Sequence, residues 1–286
     1  MTSRTAVITG AGAGLGRAIA LELVSRGYDV RGTSRSDEET ESLAAASGAR
    51  AVLTPCDITK DDDVARFAKE ASFGDRGVDV LVSNVGILTP GPLELLSIEQ
   101  VRHEFEVDVF GALRVVQAFL PALRRARGRI VQVSSWSARF PLPFSGPSSA
   151  CKAALEALAD AYRGELAQQG VDFITVLPGN MRTDAPAKSA AAIQRMRDAM
   201  TEEQRALYGS AFASFERAFN AAQGSGMDPA VAASLIVDRA EENPSPIRAP
   251  IGVEAAKVLR MVRERSDAEL DHARLQFLGL APGRPF

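Results

Sequence analysis

Residues 5–25 read TAVITGAGAGLGRAIALELVS, and the fold is decided there. Ala6-Val7-Ile8-Thr9 is a strand-like run, the glycines at 10, 12, 14 and 16 form a turn, and Arg17 to Ser25 has helical spacing. Gly27 is placed to end that helix. Working outward, β-branched runs predict further strands at Asp29 to Thr33, Arg50 to Leu53, Val78 to Ser83, Arg129 to Ser134 and Asp172 to Leu177. Helical patterns lie between them, over Asp62 to Ala71, Ile98 to Leu120 and Ser149 to Gln168. This alternation predicts an α/β chain with a Rossmann-type, doubly wound parallel sheet. Apolar strands without strict alternation fit a sheet covered on both faces.

Past Thr183 the regularity falters. Residues 184–226 are rich in Ala, Met, Phe and Arg, with helical spacing but few strong caps. They predict a helical insertion over the carboxyl edge of the sheet, where ligands of such folds bind. Residues 227–286 read as C-terminal helices, over Pro229 to Glu241 and Val253 to Arg265, with a strand or loop at Pro246 to Ile251. No internal repeat or linker interrupts the 286 residues, so one domain is expected.

Composition excludes several classes. With 46% hydrophobic and 24% charged residues the chain is an ordinary globule. Lys and Arg (33) nearly balance Asp and Glu (36), which argues against a nucleic-acid partner. Two cysteines and two histidines suit neither a disulfide scaffold nor a metal site. The N-terminus has no basic segment followed by a long apolar stretch, so it does not read as a signal peptide. The most apolar long window, Val107 to Leu123, is broken by Asp108, Arg114, Gln117 and Pro121. No membrane span is expected, and a cytoplasmic location follows.

The glycine turn carries the first chemistry. A turn between strand and helix lets the backbone approach a pyrophosphate, which sits at the positive helix N-terminus. Gly10, Ala13, Gly14, Leu15 and Gly16 are therefore candidate dinucleotide contacts. The end of the second strand chooses the cofactor. A carboxylate there suits the ribose 2′-hydroxyl of NAD, and a cation suits the 2′-phosphate of NADP. Here Thr33-Ser34-Arg35 precedes any carboxylate, which first comes at Asp37. Arg35 favours NADP(H) through a charge-assisted fork, the alternative being a solvated surface arginine.

From these residues the chain resembles the short-chain dehydrogenase/reductase family over about residues 4–260. The family's TGxxxGxG turn is matched by Thr9, Gly10, Gly14 and Gly16, and its adenine-contacting acid by Asp57, followed by Ile58. Its NNAG motif is matched by Ser83-Asn84-Val85-Gly86, and its PGxxxT segment by Pro178-Gly179-Asn180-Met181-Arg182-Thr183. The resemblance implies cofactor contacts at Asp57, Ile58, Asn84, Gly86, Pro178, Gly179, Met181 and Thr183. It also implies pairing through the helices at 98–120 and 149–168, into a homodimer or homotetramer. The longer C-terminal portion resembles the branch acting on steroids, retinoids or similar bulky apolar molecules.

The family's chemistry rests on Asn, Ser, Tyr and Lys, and here the chain departs from it. Lys152 fits the YxxxK lysine, which puts the tyrosine slot at Ser148. The family's serine lies thirteen residues before that slot, at Ser135, so the register is fixed from both sides. The Asn slot, in a VNxxG context, is Asp108 within Val107-Asp108-Val109-Phe110-Gly111. The implied catalytic set is thus Asp108, Ser135, Ser148 and Lys152, with Lys152 also holding the cofactor ribose. Serine is a far weaker acid than a phenol of pKa ~10, and its reach is shorter by roughly 4 Å. A water beside Ser148 and Lys152, or Tyr208 from the insertion, could fill the role. Asp108 could pair with Lys152, act as a base, or keep a helix bend solvated. Trp136, Arg139, Phe140, Leu142 and Phe144, next in sequence after Ser135, are candidate pocket residues. Cys151 reads as a buried, inert thiol, the alternative being one activated by Lys152. His103 and His272 lie outside every motif.

Three functions remain open on this reading. The first is an NADP(H)-dependent oxidoreductase on a hydrophobic small-molecule carbonyl or alcohol, with a non-standard proton donor. The second is a non-redox cyclase, dehydratase or isomerase on the same fold. The third is a catalytically silent subunit that supports an active homologue.

Overall fold

A computed structural model describes residues 3–182 and 185–280. In chain order the elements are β1 (Arg4–Ile8), α1 (Gly14–Ser25), β2 (Tyr28–Ser34), α2 (Asp37–Ala46), β3 (Ala51–Pro55), α3 (Asp61–Glu70) and β4 (Val80–Ser83). There follow α4 (Ile98–Phe105), a π-helical turn (Glu106–Gly111), α5 (Ala112–Ala126), β5 (Arg129–Val133), α6 (Gly146–Leu166) and β6 (Asp172–Pro178). The last third holds α7 (Ala185–Ala199), α8 (Glu202–Gly224), α9 (Pro229–Glu241), β7 (Arg248–Ile251), α10 (Val253–Glu264) and α11 (Asp267–Phe277).

The seven strands form one sheet in the order β3-β2-β1-β4-β5-β6-β7, every neighbouring pair parallel. Strand side chains alternate between faces, so Ala6 and Ile8 of β1 pack with Ile19 and Leu23 of α1 and Ile236 and Val237 of α9. Val7 between them faces α3 and α5, where Phe67 and Phe119 meet edge to face at 5.3 Å. This double cover is why the strands read as continuous apolar runs. After β1 the chain winds toward β3, and after β3 it crosses to β4 and winds the other way. The crevice beyond the carboxyl ends of β1 and β4 is therefore the topological switch point.

Over that edge lie α7 and α8, joined to the C-terminal segment by an apolar cluster of Ile193, Met200, Phe212, Phe215 and Leu278. A second cluster, Trp136, Phe140, Ala255, Val258, Leu270 and Ala273, ties α10 and α11 to the segment after β5. Among the described residues no helix is long and apolar enough to cross a membrane.

The structure differs from the sequence-based expectation at several helices. The helix expected over 98–120 is broken at Glu106–Gly111 by the π turn, and it continues to Ala126. The first and main helices at the site begin earlier than read, at Gly14 and Gly146, with Pro147 in the first turn of the latter. Two helices went unread, α2 and α11, each with a serine at its N-cap (Ser36 and Ser266). The insertion is better capped than its composition suggests, because Thr201 and Gln204 close a capping box on α8.

Candidate functional site

Two cavities meet at the switch point. The first, of about 620 Å³, is lined by Gly10, Ala13, Arg35, Asp57, Ile58 and Gly86, and so gathers six of the expected cofactor positions. Its floor is the glycine turn. Gly10 and Gly14 sit at φ +67° and +53°, in the region that favours glycine. The Thr33 side chain accepts from Gly10 N at 2.9 Å, and Ala11 N donates to the Thr33 carbonyl at 2.8 Å. A β-carbon on Gly16 would stand 2.2 Å from the Gly10 carbonyl oxygen, so only glycine lets α1 close on the turn. Asn84 braces the far side, donating through Nδ2 to the Thr9 carbonyl at 3.0 Å. No side chain caps α1 at Ala13, and no acid lies in its first turn. Its first amides are left to an anion.

Asp57 accepts from Thr59 N at 3.0 Å and Thr59 Oγ1 at 2.8 Å, and these bonds hold its carboxyl below the usual range. Arg35 is exposed at the cavity edge. Glu39, which the sequence reading missed, lines the same cavity and accepts from Ser34 Oγ at 2.6 Å. The signal was available: Ser36 and Glu39 have capping-box spacing, and Ser36 Oγ accepts from Glu39 N. Pro178, Gly179 and Met181 line a neighbouring cavity of about 280 Å³ rather than this one. Gly14, Leu15 and Gly16 open α1, and Thr183 lies outside the described residues.

The second cavity, of about 520 Å³, has Ser135, Ser148, Gly179 and Asn180 on the sheet side and Trp136, Leu142, Phe215, Phe219 and Phe277 around it. Gly86 and Ile87 belong to both cavities. Behind Gly86 lies an ion pair: Lys152 Nζ donates to Asp108 Oδ2 at 2.9 Å, with the carboxylate fully buried. A β-carbon on Gly86 would come within 2.9 Å of both partners. Asp108 Oδ1 accepts from Ile87 N at 2.8 Å. The position is thus faced by two donors, a backbone N–H and an ammonium. A carboxylate satisfies both, whereas an amide would offer one of them its own N–H. The π turn supplies the extra residue that places Asp108 inward.

Several expectations change here. Asp108 does not solvate a helix bend, since no surface of it is exposed. None of the three tyrosines reaches the slot: Tyr28 bonds Glu241, Tyr162 stacks on Phe173, and Tyr208 donates to Glu94. Tyr208 is therefore withdrawn as a stand-in acid. Trp136 and Leu142 line the pocket, but Arg139 pairs with buried Glu156, Phe140 packs under α10 and α11, and Phe144 packs against Phe212 and Phe215. Cys151 is buried, and burial first and Asp108 second push its thiol up to about 12, so it stays protonated. Phe277 and Leu278 were missed as pocket residues because α11 was unread. Glu104 was also missed. It is fully buried, and burial pushes its carboxyl up to about 7.

With this geometry in view, comparison with known proteins is specific. The family profile described as short chain dehydrogenase matches residues 4–194. An NADPH-dependent 3-dehydrocapnine reductase of Ornithobacterium rhinotracheale is 30% identical over 222 residues, covering 75% of this chain and 76% of that protein. Human 17-beta-hydroxysteroid dehydrogenase type 6 is 35% identical over 199 residues, covering 68% and 62%. The crystal structure of a short chain dehydrogenase from Burkholderia cenocepacia in complex with NADP superimposes with a TM-score of 0.74. It is 28% identical, and the match covers 98% of each chain.

Proposed function

The chain belongs to the short-chain dehydrogenase family, and on that footing we propose that it is an NADP(H)-dependent oxidoreductase acting on the carbonyl or hydroxyl of a hydrophobic small molecule. One observation carries the reading: the Lys152–Asp108 pair is buried behind Gly86, in the wall shared by the cleft at the glycine turn and an apolar pocket. The uncapped α1, the turn closed by Gly16 and the exposed Arg35 fit the diphosphate and 2′-phosphate of NADP(H). When bound, that cofactor supplies the hydride.

The residues of the chain handle the oxygen and its proton. Ser135 and Ser148 line the pocket, and a hydroxyl there can donate to a substrate oxygen. A water beside Ser148, where the family's phenol would stand, would complete the path to Lys152. In the reducing direction the carbonyl carbon gains the hydride and the oxygen gains a proton from the Lys152 ammonium through that water. Lys152, with 12% of its side chain exposed, then recovers a proton from solvent. Asp108 holds the ammonium in place and balances its charge. The non-redox and silent-subunit readings are not favoured, since the relatives above are named as a reductase and dehydrogenases.

The cofactor half is tested by Arg35→Glu. A charge-assisted contact is worth ~1.5–3 kcal/mol, so NADPH affinity is expected to fall by ~10–100-fold while NADH affinity changes little. Quenching of Trp136, the single tryptophan and a pocket residue, reads both titrations. Equal NADPH affinity in parent and variant would remove Arg35 from the site.

A further inference from the structure

Glu104 is a buried carboxyl close to the Lys152–Asp108 pair, with no part in the reductase chemistry proposed for that pair. It lies on α4, four residues before Asp108, and none of its surface is exposed. Its Oε2 accepts from Thr89 N at 3.0 Å, and its Oε1 is buried without a hydrogen-bond partner. The two carboxylates act on one loop: Asp108 takes the N–H of Ile87, and Glu104 takes that of Thr89. That loop, from Gly86 to Thr89, contributes to both cavities. The titratable groups facing Glu104 are Asp108 on the π turn and Lys152 and Cys151 on α6, while its neighbour His103 is exposed.

Charge decides what this arrangement does. Lys152 and Asp108 neutralise each other, so an ionised Glu104 would leave the buried centre with a net negative charge. An unpartnered, fully buried oxygen is far more unfavourable on an ionised carboxylate than on a protonated carboxyl. A second negative charge nearby also attracts the proton that Lys152 must release to the relay.

Resting on the reading of Lys152 as the proton source, we propose that Glu104 is a positioning residue that sets the pH range of this centre. It carries its proton below neutrality and loses it above, and losing that proton holds the proton of Lys152 back. Burial, which pushes the carboxyl up to about 7, places the transition within the working range. The sign follows. The folded state binds this proton more tightly than the unfolded chain does, so the resulting stability is full below the ordinary carboxyl range. It is lost as pH rises through about 7.

The test uses the full chain and Glu104→Gln, which keeps the Thr89 contact without a titrating group. Infrared spectra of the protein alone should show a protonated-carboxyl band at pH 5.5 that fades by pH 8.5 and is missing from the variant. The parent should also lose roughly 5 °C more of its Tm than the variant over that range. With NADPH and an apolar ketone, the parent rate should fall about tenfold per pH unit above neutrality, while the Glu104→Gln rate stays level. A structural role alone would lower both rates without moving the profile. No titrating band, or the same falling limb in both proteins, would overturn the inference. A titrating band with no NADPH oxidation at any pH would uphold the stored proton and place the failure in the reductase reading.

Discussion

Lys152→Met is expected to be the most damaging single substitution. It leaves Asp108 with no exposed surface and no opposing charge, and removing one partner of a buried pair costs about 3–5 kcal/mol. Urea unfolding would read that loss as a lower midpoint. Substrate-dependent NADPH oxidation should fall by ~10²–10⁴, the usual contribution of a positioned acid. Adding Asp108→Asn removes the stranded charge, so the double variant should regain most of the stability and none of the turnover. If Lys152→Met were as stable as the parent, the pair would not be the anchor described.

Ser148→Tyr carries the largest expected gain. Ser148 lines the pocket on the first turn of α6, and Lys152 follows one turn later on the same helix. A phenol at 148 extends roughly 4 Å farther than the serine hydroxyl, into the place assigned to water. An ammonium nearby lowers its pKa toward the working range. Reduction of a generic aromatic ketone should rise by roughly 10²-fold, with NADPH affinity unchanged. An unchanged rate with the fold intact would mean that proton delivery is not what limits this protein.

The elements that position the site were legible unequally, for physical reasons. The β1 turn and α1 could be read because the β-branched run favours a strand, and closely spaced glycines between a strand and a helix mark a turn that other residues could not make. Ser135, Ser148 and Lys152 were legible only through the resemblance to the family's motif, and the structure sets Ser135 and Ser148 in one pocket with Lys152 behind its wall. The π turn went unread because Val107, Val109, Phe110, Ala112 and Leu113 place apolar residues on every side there, which masks the roughly 100° shift that one extra residue causes. Glu104 was hidden for a related reason. Glu99, Gln100, Arg102, His103 and Glu106 surround it in sequence and suggest a solvated face. Packing between α4 and α6, which no local pattern encodes, buries that single position. The helix α11 is short and charged, with few apolar residues at helical spacing, so its Phe277 could not be assigned to the pocket.

The proposed reaction transfers the hydride of NADPH to a carbonyl carbon although no tyrosine stands in the pocket. It is tested most directly with NADPH deuterated at the nicotinamide C4, incubated with the protein and a panel of apolar ketones. Mass spectrometry of the products then reports where the label goes. The expected result is an alcohol with one deuterium on its carbinol carbon, formed with equal loss of NADPH and absent from Lys152→Met. A product free of deuterium, with NADPH unconsumed, would contradict the redox reading and assign the pocket to other chemistry.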